Sequence, residues 1–184
     1  MSQGSPPIPP DNRILYFGRD REAFGFLSHF YPASITLDGQ SWPTVEHYYQ
    51  AQKSLEPAYQ EAIRAAPTPR KAKRLAASPI APLRLSAQSW FRRHQVLPRP
   101  DWQEVKLAVM RRADAAKFSQ HTELAARLLA TGTAALVEDS PADPFWGIGR
   151  DGLGLNWAGR VLMEVREHLR ARAGTRSERP NPHL

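Results

Sequence analysis

At 184 residues the chain has the length of one domain, with room for a real core. It is 41% hydrophobic with no run near the roughly 20 apolar residues of a membrane span, and its lack of cysteine rules out disulfides, thiolate metal sites and a cysteine nucleophile. Of the net charge of +7, Asp11 removes one unit at the N-terminus and Arg172, Arg176 and Arg179 against Glu178 add two at the C-terminus, so residues 13–170 carry +6. That balance suits a phosphate-bearing ligand, a nucleotide or a nucleic acid, although many ordinary basic proteins share it.

Residues 1–12, rich in Ser and Pro, read as a disordered segment without the apolar centre of a signal peptide, and a soluble, cytoplasmic protein is expected. Arg13 to Phe17 reads as a short strand, and Phe24 to Phe30 as a buried aromatic cluster. From Ser34 to Trp42 two short strands flank Asp38-Gly39, the dipeptide that best tolerates the positive φ angles of a tight hairpin.

The hairpin leads into WPTVEHYYQAQK, residues 42–53. Ser41 and Thr44 both suit an N-cap, Pro43 suits a first turn, and Glu46 lies near the positive end of the helix dipole. A helix here places Glu46, Gln50 and Lys53 on one face at i, i+4 and i+7, with Tyr49 beside them. Val45, Tyr48, Ala51 and Leu55 then face the core.

Pro57 starts a further helix through Ala66, and Thr68-Pro69 caps a short basic one carrying Arg70, Lys71, Lys73 and Arg74, a run that reads first as a solvated face. Prolines at 79, 82, 98 and 100 break up the next stretch. In it, Trp90 and Phe91 beside Arg92 and Arg93 read either as a stacking and phosphate surface or as a packed anchor. Asp101 to Phe118 is the clearest long helix. Asp101 and Glu104 form a capping-box pattern, the apolar stripe runs through Trp102, Val105, Val109, Ala113 and Ala116, and the flanking Lys106 and Lys117 are expected to snorkel to water. Thr122 to Ala130 forms another helix stopped by Gly132, and Ala134 to Glu138 a strand.

The loop PADPFWGIGRDGLGLNWAG follows. Gly147 to Gly152 matches G-x-G-x-x-G, but too little chain remains for a βαβ unit and no acidic residue stands near position 170, so a dinucleotide fold is rejected. Two readings stand: backbone N–H groups that approach an anion at a helix N-terminus, or a tight irregular connection with Trp146 filling core. A last helix runs from about Ala158 to Arg172 with Leu162, Val165 and Leu169 inward, and from Ala173 the tail reads as disordered.

Taken together, FGFLSHFYPASITLDGQSWPTVEHYYQAQK, DWQEVKLAVMRRADAAKFSQ and LLATGTAALVEDSPADPFWGIGRDGLGLNWAGRVLMEVR resemble the YbiA-like family, also called NADAR, over roughly residues 14–170. The resemblance implies a single compact, helix-dominated α+β domain over 13–172 with a small antiparallel β component, between disordered ends at 1–12 and 173–184. It also implies N-glycosidase activity. Two substrate classes come with it, the ribosylaminopyrimidine phosphates early in riboflavin synthesis and ADP-ribose on guanine bases, the second with DNA as substrate. Both join ribose C1′ to an exocyclic amine, and both carry phosphate. A non-catalytic ADP-ribose or nucleotide-binding module is the alternative of another class.

Cleaving that C–N bond develops positive charge at C1′ and negative charge on the departing amine, which calls for a carboxylate, a proton donor and a water with a base. Glu46 and Asp143 are the candidate carboxyl groups. Each has a plainer reading, Glu46 as a helix N-terminus stabiliser and Asp143 as a turn cap. Lys53 reads as a fixed cation, as a Schiff-base nucleophile, or as a structural partner of Glu46 or Glu56. Gln50 and Tyr49 share the Glu46 stripe as substrate contacts. Trp146 is assigned to stack on the heterocycle, the N–H groups at Gly147 and Gly149 to meet phosphate, and Asn156 to hold ribose hydroxyls. His29 stands where the family commonly has Asn, and reads as a ligand contact or as simply packed. No cofactor is implied, and no metal: the histidines at 29, 47, 94, 121, 168 and 183 lack zinc-site spacing. His47 points away from the Glu46 face and is read as structural.

Overall fold

The computed structural model describes residues 12–16 and 23–177, and it is dominated by helices. The expectations placed on residues 1–11, on Phe17 and on 178–184 lie outside the described residues. The chain falls into two units: one contiguous, His29–His121, and one built from both ends, Met1–Ser28 with Thr122–Leu184.

In the contiguous unit, β2 (Ile35–Leu37) and β3 (Gln40–Trp42) pair antiparallel, and Asp38 and Gly39 turn between them at φ 54° and 72°. That left-handed pair is what a two-residue hairpin requires and what Asp-Gly supplies. Asp38 also holds the turn down: its carboxylate accepts from Arg112 at 2.6 and 3.0 Å and from the Tyr48 hydroxyl at 3.2 Å. The edge of β2 is closed by a side chain acting as a strand, since Gln120 accepts from Thr36 N at 2.8 Å and donates to Thr36 O at 2.9 Å.

The hairpin delivers the chain into α1 (Val45–Ala51). Thr44 is its N-cap, accepting from His47 N, so Pro43 stands before the cap and not in the first turn. Every residue of α1 is buried, because α2 (Pro57–Arg64), α3 (Pro69–Leu75) and α6 (Trp102–Gln120) surround it. A helix so enclosed has no solvent face, and its polar side chains must find partners inside.

Leu55, expected to pack inward, is 67% exposed, because α1 ends at Ala51 and residues 52–56 make the connection to Pro57. The region with the prolines forms two short helices, α4 (Leu83–Ser86) and α5 (Trp90–His94). Phe91 is fully buried and stacks on Tyr59 at 4.6 Å, the anchor of this corner. Asp101 does not cap α6 with its side chain, since Arg99 engages both of its carboxylate oxygens at 2.6 Å.

In the other unit, β1 (Arg13–Tyr16) and β4 (Ala135–Glu138) pair in parallel, a β element separate from the antiparallel hairpin. α7 (Thr122–Ala130) precedes β4, with the turn at Gly132, φ 57°. α8 (Trp157–Ser177) packs on β4 and runs past the expected end at Arg172, so residues 173–177 are helical. Arg166, nearly fully buried on α8, donates to Thr131 Oγ1 and Ala134 O at 2.7 and 2.8 Å and so satisfies the end of α7.

Candidate active site

Spacing of i, i+4 on α1 brings Glu46 and Gln50 together: Gln50 Nε2 donates to Glu46 Oε1 at 2.8 Å. The two side chains are 5% and 3% exposed. A carboxylate only accepts, so the amide must turn its NH₂ toward Glu46 and its oxygen away. That oxygen, Gln50 Oε1, is buried without a hydrogen-bond partner among the described residues. An orphan acceptor beside a buried carboxylate is costly in a folding core and useful in a binding site.

His29 sits next to this pair through the backbone, its carbonyl accepting from Glu46 N at 3.1 Å. Its ring is buried, with Nε2 3.1 Å from Asp114 Oδ2. The imidazole is thus engaged with α6, a contact that the sequence reading did not anticipate. Tyr49 is buried too, packed on Trp102 with ring centres 4.9 Å apart.

Lys53 lies beyond the end of α1 and does not extend the Glu46–Gln50 face by another turn. Its Nζ donates to Ala76 O at 3.3 Å and stands 5.9 Å from the centre of the Trp102 ring, while its carbonyl accepts from Arg99 N at 2.8 Å. The amine is therefore held at the junction of α1, α3 and α6. His47 faces away from this group, with Nδ1 2.8 Å from Thr44 Oγ1 and Nε2 3.0 Å from Ala66 O. Burial pushes its pKa below the usual imidazole value, against the opposing pull of the Ala66 carbonyl and Glu46.

Besides Arg166, two further buried charges fall outside the expected set. Asp114 and Lys117 are both fully buried on α6, and Lys117, expected to snorkel, has its amine 5.5 Å from the Tyr31 ring centre and 5.1 Å from that of Phe118. The signal available was a carboxylate and an amine at i, i+3 between Ala113, Ala116 and Phe118.

The glycine-rich loop belongs to the unit built from the chain ends. Asp143 caps a turn there, Oδ1 accepting from Phe145 N at 3.1 Å and Trp146 N at 2.9 Å. The N–H groups assigned to phosphate are spent inside the loop: Gly147 N donates to Asp143 O at 3.0 Å and Gly149 N to Ser140 O at 3.1 Å. Gly147 has no room for a side chain, since a Cβ there would come within 2.7 Å of Glu138 O. The loop is thus the tight connection of the second reading.

Asn156, expected at ribose, uses both ends of its amide within the fold. Oδ1 accepts from Glu138 N at 3.0 Å and Nδ2 donates to Leu136 O at 2.9 Å, which ties α8 to β4. Trp146 is half-buried, edge-on to Phe145 with ring centres 5.1 Å apart. An open hollow of about 330 Å³ lined by Pro144, Phe145, Asp151, Leu153, Gly154 and Leu155 shares no residue with the expected site. Its lining is mostly apolar, and Asp151 Oδ1 already accepts from Leu153 N, so it offers little to a phosphorylated sugar. Among the described residues, no helix is long and apolar enough to cross a membrane, and no three His, Cys, Asp or Glu are grouped to hold a metal ion.

Residues 15–170 match the protein family described as the NADAR domain. A riboflavin biosynthesis protein of Vibrio vulnificus is 43% identical over 159 residues, which is 86% of this chain and 39% of that longer protein. The N-glycosidase YbiA of Escherichia coli is 42% identical over 156 residues, covering 85% of this chain and 88% of that protein. The NMR structure of E. coli YbiA superposes with a TM-score of 0.74 at 38% identity, covering 96% of this chain and 94% of that one.

Proposed function

The chain belongs to the NADAR family and is a hydrolase of N-glycosyl bonds, and we propose that the bond it cuts is the ribose C1′–N bond of a phosphorylated ribosylamine. The substrate class favoured is the ribosylaminopyrimidine phosphates, because relatives named for riboflavin biosynthesis stand beside those named N-glycosidase. The observation that carries the reading is the buried Glu46–Gln50 pair with its unpartnered amide oxygen.

In this reading Glu46 faces the positive charge that develops at C1′, where burial strengthens its effect. Gln50 fixes the carboxylate and offers its free oxygen to a ribose hydroxyl. Lys53 attacks C1′ of the ring-opened ribosylamine, the pyrimidine amine leaves with a proton, and water then hydrolyses the resulting Schiff base. The sum is one water consumed, with ribose 5-phosphate and the aminopyrimidine released. Asp143 remains the proposed second carboxyl group and Trp146 the proposed stacking surface for the heterocycle.

Incubation of the protein with a ribosylaminopyrimidine phosphate should release ribose 5-phosphate, and Glu46→Gln should abolish release while substrate still binds. No release from the wild-type protein would sink this substrate assignment, and an unaffected Glu46→Gln rate would remove Glu46 from the mechanism.

A further inference from the structure

Two buried polar side chains, His29 and Asp114, take no part in the hydrolysis proposed above. Asp114 lies in the interior of α6 and is fully buried, while His29 is 8% exposed. The carboxylate accepts, so His29 Nε2 carries the hydrogen and donates to Asp114 Oδ2 at 3.1 Å. The second oxygen, Asp114 Oδ1, is buried with no hydrogen-bond partner among the described residues. A buried charge satisfied on one side contributes little to stability, and apolar side chains of similar volume commonly serve a fold as well or better. What this pair supplies and an apolar pair does not is a fixed direction for the residue it holds.

That direction leads to Glu46. Thr44 caps α1 by accepting from His47 N, and the N–H of Glu46, which has no partner within its own helix, donates to the carbonyl of His29 at 3.1 Å. The residue whose carbonyl holds Glu46 is therefore the residue whose ring is held by Asp114. The link runs from the Asp114 carboxylate through the His29 ring and carbonyl to the Glu46 amide, and it joins α6 to α1, helices that already pack on each other. At the far end Gln50 Nε2 holds Glu46 Oε1 at 2.8 Å, so Glu46 is fixed both at its backbone and at its tip.

We infer that Asp114 is a positioning residue for Glu46 and acts through His29. This role rests on the hydrolysis proposed above, in which Glu46 faces charge that develops only in the transition state. A misplacement of about 1 Å, too small to disturb the fold, can cost such a group about 100-fold in rate. The imidazole is what spans the gap to α6. Asn, which the family commonly has at position 29, carries its amide closer to the backbone and would fall short of Asp114.

The test pairs steady-state kinetics on a ribosylaminopyrimidine phosphate with amide hydrogen exchange by NMR, both on the full chain. His29→Leu/Asp114→Leu replaces both partners by apolar groups and so leaves no buried charge unpaired. It should lower kcat by at least about 30-fold and leave KM within about threefold, because the loss falls on the transition state. Asp114→Ala, which cuts the link at one end, should show the same split of kcat from KM. Asp114→Asn keeps an acceptor for His29 Nε2 and should stay within about fivefold of the wild-type kcat. In the Leu pair the Glu46 amide should exchange at least about tenfold faster, while the Tyr48 amide, bonded to Thr44 O, keeps its rate. A fully active Leu pair, an Asn variant as slow as the Ala variant, a rise in KM in place of the fall in kcat, or an unaltered Glu46 exchange rate would each overturn the role of Asp114. No release by the wild type would instead sink the substrate assignment, and exchange at Glu46 would still decide whether Asp114 holds it.

Discussion

A side chain on residue 159 would overlap the carbonyl oxygen of Leu136, so the first turn of α8 lies directly on β4 at Gly159. Asn156 binds that same carbonyl from one turn earlier. Gly159→Ala forces helix and strand apart, and because the obstacle is backbone and not a movable side chain, a loss of more than about 3 kcal/mol is expected. Urea unfolding measures it, and a loss under about 1 kcal/mol would show that the contact yields easily.

Lys53 is held by a backbone carbonyl, which leaves its chemistry testable by a charge-preserving change. Lys53→Arg keeps the cation and removes the nucleophile, so turnover should drop by at least about 1000-fold. Borohydride added during turnover should leave a ribose-derived adduct on Lys53, seen by mass spectrometry. An active arginine variant without any such adduct in the wild type would leave Lys53 only the role of a fixed cation.

Asp143 has a visible structural task, and the two substitutions divide it from catalysis. Asp143→Asn keeps an acceptor for Phe145 N and Trp146 N but loses the charge, so stability should hold within about 0.5 kcal/mol while turnover falls by about 100-fold. Asp143→Ala should lose about 1–2 kcal/mol of stability as well. A fully active Asn variant would confine Asp143 to the turn.

His47 should make the fold sensitive to acid. Its folded pKa is depressed below 6.5 by burial, so on acidification the unfolded chain takes the proton first. The contribution of the neutral ring is fully present above about pH 6.5 and is lost progressively below it. Melting curves from pH 7.5 down to 5.5 should therefore fall more steeply for the wild type than for His47→Gln. Parallel curves would mean that another group carries the acid sensitivity.

What was legible in the sequence follows local rules. Asp38-Gly39 has the left-handed freedom of a tight hairpin, Thr44 and Thr68 cap their helices, and the i, i+4 spacing of Glu46 and Gln50 becomes a hydrogen bond. What was not legible depends on where the chain goes next. The polar stripe through Lys53 assumed a helix that continues, but α1 ends at Ala51, and Glu56 is extended before the Pro57 that opens α2, so 52–56 form a connection. Glycines in the loop showed where N–H groups are accessible but not toward which carbonyls they turn. The pairing of His29 with Asp114, 85 positions apart, leaves no periodic trace at all.

The parallel pairing of β1 with β4 sets the order in which the protein can be made. During synthesis β1 emerges first and has no strand to join until residues 135–138 have left the ribosome, whereas His29–His121 is contiguous and has all its own contacts by residue 121. The central unit should then acquire protease resistance on chains stalled once residue 121 has left the ribosome, and the other unit only once residues 135–138 have followed. Simultaneous protection of both units, appearing only after residues 135–138 have left the ribosome, would show that neither folds ahead of the other.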